Sequence, residues 1–67
     1  MGITLRAARV NKGMTQAQAT EKIGVTELTL RKYERGESWP KADTIKKMLE
    51  LYDVQFEDVL FTGADYS

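Results

Sequence analysis

The chain has 67 residues, ten Lys and Arg against ten Asp and Glu, one proline, no cysteine and no histidine. That length allows one domain with a modest core, because a domain this small buries only about 60% of the surface its unfolded chain exposes. Without Cys or His there is no disulfide, no thiolate ligand and no imidazole base, and no apolar run approaches the roughly 20 residues that span a bilayer.

The zero net charge is unevenly laid out. Residues 1–47 hold all ten basic residues and five acidic ones, a balance of +5, whereas residues 48–67 hold five acidic residues and no basic one, a balance of −5. The asymmetry points to a basic functional face with an acidic remainder turned elsewhere; the plainer reading is solvation and i,i+4 pairing. Met1 to Thr4 leads directly into a charged helical pattern with no signal peptide, so a soluble intracellular protein is the expectation.

Five helices and no strand are predicted. The first covers about 3–12, with Leu5 and Ala8 inward and Gly13 ending it. Thr15 is the N-cap of the second, about 16–23, and Gln18 completes a capping box. Ala19 and Ile23 stand four apart, and Gly24 supplies the positive φ that stops the helix. Thr26 caps the third, about 27–35, with Val25 and Leu30 as a hydrophobic staple. Gly36 ends it. The loop "ESWP" is closed by Pro40, with Trp39 expected as a partial cap over the core. A fourth helix covers about 43–52, with Ile45, Met48, Leu49 and Tyr52 on one side. A fifth covers about 56–61, and residues 62–67 should fray. The fold class is all-α, in a single domain over 1–67.

The very short turn at Gly24 gives the second and third helices the arrangement of a helix-turn-helix. Ala17, Ala19 and Thr20 supply small residues where the helices meet. With Leu30 placed at 0°, steps of about 100° carry Leu28 and Lys32 to the far side and Arg31 and Arg35 to the flank. Thr26, Glu27 and Leu28 form the N-terminal tip of the third helix.

An ordered series of residues resembles the phage-repressor and Cro-like helix-turn-helix family, the Xre type, over residues 5–60. It comprises Leu5 and Arg9, Thr15-Gln16, Ile23-Gly24-Val25-Thr26, the "L-x-x-Y-E-x-G" of Leu30, Tyr33, Glu34 and Gly36, then Pro40, and the tail from Val54 to Leu60. The resemblance implies a compact five-helix lambda-repressor-like domain with a central helix-turn-helix. It implies base contacts from Thr26, Glu27, Leu28 and Lys32, and phosphate contacts from Gln16, Arg35 and Lys41, with Arg31 on the periphery. It also implies a structural ion pair between Arg9 and Glu34. Leu51, Phe56, Val59 and Phe61 exceed what so small a core can bury, and the resemblance implies a two-fold dimer contact there. Residue chemistry fits these roles. Lys32 can donate to guanine O6 and N7, Leu28 can lie on a thymine methyl, and Glu27 can accept from the cytosine amino group. Arg35 and Lys41 can neutralise phosphates, and the alternative to a core cap for Trp39 is contact with a DNA sugar or stacking on a partner.

Some positions depart from the family pattern. Thr20 replaces an alanine and should either widen the crossing or bond back to the carbonyl of Gln16. Ala19 replaces a leucine, so Met14 or Tyr33 must fill the space. Asp53 replaces the glycine that ends the fourth helix.

The function expected is sequence-specific binding of double-stranded DNA by a transcriptional regulator, a Cro-like phage or prophage repressor. It would act as a homodimer on an inverted-repeat operator, in the cytoplasm of a bacterial cell and associated with the nucleoid. No cofactor, metal, small-molecule ligand, membrane contact or enzymatic activity is expected, since the adjacent Glu57 and Asp58 do not face a common point. The alternative is a protein-interaction module of this fold, an antitoxin or anti-repressor, which the zero net charge and the acidic residues 48–67 favour. From the short ending after Phe61 a complete small protein is the expectation, with a domain cut from a longer repressor as the alternative.

Overall fold

Three threonines set where the first three helices begin. The computed structural model describes residues 2–60. In it Thr4 precedes α1 (Leu5–Asn11), Thr15 precedes α2 (Gln16–Ile23) and Thr26 precedes α3 (Glu27–Arg35), each with extended φ and ψ. The hydroxyl of Thr4 accepts from the amide of Ala7 at 3.0 Å, that of Thr15 from Gln18 at 3.1 Å and that of Thr26 from Thr29 at 3.2 Å. Gln18 returns its Oε1 to the amide of Thr15 at 2.9 Å, completing the capping box. Each cap satisfies amides that the first turn leaves without a helical partner.

The helix ends are as local as the starts. Gly36, at φ 76°, ends α3 by returning its amide to the carbonyl of Tyr33, while Glu37 returns its amide to Lys32. This double closure needs a left-handed residue, which glycine supplies without a Cβ clash. α4 (Ala42–Tyr52) ends instead on Asp53, held at φ 57°. Aspartate tolerates that region at some cost.

The helices enclose one core. Leu5, Leu30, Met48 and Tyr52 are each 2% exposed or less. Ala19 is fully buried, and Met14 and Tyr33 both pack, half-buried, against the core cluster that contains it. Thr20 is buried too, but its hydroxyl donates to the carbonyl of Ala17 at 2.8 Å rather than to that of Gln16.

The described residues are mostly helical, with four α-helices among them, and two expectations give way. Ile3 and Thr4 are not the start of a helix. They form β1, paired in parallel with β2 (Val59–Leu60) in the register Ile3 to Val59 and Thr4 to Leu60. The fifth helix reduces to a single 3-10 turn, Phe56–Asp58, after which Val59 turns extended at φ −94° and ψ 131°. Both changes have one cause. Ile3 and Val59 are β-branched and are stiff at χ1. Extended backbone lets Val59 reach the core and lie beside Ile3, while its amide donates to the carbonyl of Phe56. The positions 61–67, with the predicted end of the fifth helix and the frayed tail, lie outside the described residues.

Trp39 is also placed differently from expectation. Pro40 is buried and holds the loop to the domain, but Trp39 is 63% exposed rather than closed over the core.

Candidate nucleic-acid interface

α3 divides its side chains sharply. Leu30 is completely buried and Tyr33 and Glu34 are half-buried, while Thr26, Glu27, Leu28, Arg31, Lys32 and Arg35 are exposed. Burial of Leu30 contributes roughly 2–3 kcal/mol, which fixes the rotation of the helix about its axis. That rotation holds Leu28, Lys32 and Arg35, spaced four and three apart, on one outward stripe. Leu28 is 57% exposed although it is a large apolar residue.

Side-chain chemistry along the stripe is not uniform. The hydroxyl of Thr26 is engaged by its capping bond and by a 2.9 Å contact with the hydroxyl of Thr29. Glu27 lies in the first turn of α3, where the helix dipole favours a carboxylate. Arg35 stands 3.7 Å from Glu37, an exposed pair of little energetic weight that partly screens its charge. Leu28 and Lys32 are the members of the stripe for which no such engagement is seen among the described residues.

Behind the stripe lies a buried polar cluster. Arg9 Nε donates to Glu34 Oε2 at 2.7 Å and Arg9 Nη2 to Glu34 Oε1 at 3.3 Å, with both side chains less than a tenth exposed. Arg9 Nη1 donates to the carbonyl of Met14 at 2.8 Å, so the guanidinium ties α1 to α3 and to the loop before α2. Gln16 Nε2 donates to Glu34 Oε1 at 3.4 Å. Gln16 therefore stands at the start of α2 with its side chain already oriented by α3, a link the sequence pattern did not reveal. Tyr52 completes the surroundings. Burial, and to a lesser degree the nearby Glu34 carboxylate, pushes its hydroxyl up to about 12, with Arg9 opposing. That hydroxyl has no hydrogen-bond partner among the described residues.

A helix-turn-helix model matches residues 5–59. The chain belongs to the helix-turn-helix family. The HTH-type transcriptional regulator ImmR of Bacillus subtilis (strain 168) is 37% identical over 60 residues, which cover 90% of this chain and 47% of that protein. The chain thus spans about half the length of the curated relative it matches. No solved structure matches it.

In this helix-turn-helix the remaining sequence-predicted site residues fall in two places. Lys41 is exposed and immediately precedes α4, whose N-terminus has no side-chain cap. The apolar residues predicted for a dimer contact differ in burial. Val59 is 8% exposed and belongs to the core, Leu51 is half-buried against it, and Phe56 is 57% exposed. Phe61 lies outside the described residues. Among the described residues no helix is long and apolar enough to cross a membrane.

Proposed function

We propose that this helix-turn-helix domain binds double-stranded DNA with sequence preference and acts in transcriptional regulation. The observation that carries the reading is the outward stripe of α3. A 57%-exposed leucine, a lysine and an arginine are held on one face by the complete burial of Leu30 on the other. An α-helix fits the major groove of B-DNA, and a stripe of this chemistry reads base edges there. Lys32 donates to guanine, Leu28 packs on a thymine methyl, and Glu27 and Thr26 contribute at the tip. Gln16, Arg35 and Lys41 hold phosphates, with Arg31 on the periphery.

The domain acts as a homodimer on two inverted half-sites about one helical turn apart, with Leu51 and Phe56 as the described apolar residues available for a two-fold contact. A Cro-like phage or prophage repressor in a bacterial cell is the setting that fits this reading.

Selection from a pool of randomised duplex DNA tests it. An enriched inverted repeat supports a dimeric operator-binding regulator. A folded sample that enriches nothing sinks the reading and turns attention to a protein partner on the acidic face of residues 48–60. With an operator in hand, Lys32→Ala should change which sequence is preferred. Arg35→Ala should weaken all sequences alike and lower the salt slope by about one. Equal losses on every sequence for Lys32→Ala would remove its base-reading role.

A further inference from the structure

Trp39 is the chain's single tryptophan and, at 63%, the most exposed large apolar side chain among the described residues. Its place is fixed from both sides. α3 ends four residues earlier at Arg35, and Pro40 is buried and anchors the loop. Arg35 and Lys41, both exposed, flank it along the chain, although Glu37 at 3.7 Å screens part of the charge of Arg35. α4 begins just beyond, without a side-chain cap, and Asp43 in its first turn, whose carboxylate accepts from the amide of Thr44 at 3.0 Å, offsets the positive end of its dipole. The loop thus sets an exposed apolar ring between two basic residues of the chain, Arg35 and Lys41, at the C-terminal end of the proposed recognition helix. An exposed indole offers an apolar face, which matches a deoxyribose.

We propose that Trp39 is a DNA-backbone contact. Its ring lies against the sugar-phosphate strand at the edge of the half-site, between the phosphates held by Arg35 and Lys41. The inference rests on the DNA-binding reading above. It adds to that reading a residue whose contribution is apolar and independent of base sequence.

The single indole is its own reporter. The full chain would be bound to a duplex enriched in the selection, with occupancy followed by the anisotropy of labelled DNA. Trp39 emission and its quenching by acrylamide, a neutral quencher that DNA does not repel, would be read in the same samples. On binding, emission should shift to the blue and quenching should fall at least about twofold. Trp39→Ala should weaken binding to every duplex by roughly tenfold, leave sequence preference unchanged and leave the salt slope unchanged, because no charge is removed. Trp39→Phe should recover most of the affinity. A circular dichroism melt checks that both variants fold, as an exposed side chain allows. A saturated complex in which Trp39 remains as quenchable as in the free protein, and in which Trp39→Ala binds as tightly as the parent, overturns the contact while leaving the DNA-binding reading intact. Absence of anisotropy change on any duplex overturns that reading and this contact with it.

Discussion

The helix-turn-helix of residues 15–36 and the segment of residues 53–60 are built on opposite terms. In the first, every boundary carries a local signal: the Thr15 capping box, the left-handed Gly24, the Thr26 cap and the left-handed Gly36. In the second, the helix before it ends on a left-handed aspartate, the following turn is a single 3-10 turn with no side-chain cap, and the last residues pair with a strand more than fifty positions away. The difference teaches where each region's information lies. A cap or a positive-φ glycine acts within a few residues and works in any surroundings. A two-residue strand has meaning only once its partner is in place.

The sharpest way to break that contrast is Glu34→Ala. If the helix-turn-helix stood on local signals alone, the change would be mild. Because it leaves the buried Arg9 guanidinium without its carboxylate, we expect a loss of about 3–5 kcal/mol in urea unfolding. A loss below about 1 kcal/mol would mean that the pair adds little.

Alkaline pH tests the same cluster from its other side. The Tyr52 hydroxyl is raised to about 12 in the folded protein, from 10.0 when unconstrained. Below pH 10 the group is neutral in both states and the stabilisation is fully present. As pH rises from 10 toward 12 only the unfolded chain ionises, and stability falls by roughly 2 kcal/mol. Tyr52→Phe removes a buried hydroxyl that has no hydrogen-bond partner among the described residues, so it should cost little at neutral pH and should abolish this share of the alkaline loss. Parallel pH-dependent denaturation of the two proteins reads the difference directly.

The two helix ends can then be compared by exchange. Gly24→Ala forces a Cβ into φ 90° and should cost about 1–2 kcal/mol although nothing lies within 4 Å of the added atom. Asp53→Gly relieves the same kind of strain at φ 57° and should stabilise the domain by about 0.5 kcal/mol. The Lys12–Asp53 pair that it removes, at 3.6 Å with the aspartate 86% exposed, offsets little of this gain. Thermal melts of both variants settle the comparison, and a stabilising Gly24→Ala would sink the local account of the turn.

The share legible in the residues alone follows from range. The bounds of α2 and α3 and the outward Leu28, Lys32 and Arg35 rest on residues within one or two turns of each other, and the family rests on an ordered series of such local motifs over residues 5–60. The Arg9–Glu34 pair lay farther off, and its position was legible only through the family resemblance. Tertiary structure alone decided the rest. It turned Ile3 and Val59 into paired strands, because two β-branched residues at opposite ends of the chain bury and hydrogen-bond best side by side. It drew Gln16 onto Glu34, sent the hydroxyl of Thr20 to Ala17, and left Trp39 outside while Pro40 went in. None of these could be read from spacing, because each depends on which surfaces meet once four helices have packed, and periodicity along one element is silent about its neighbours.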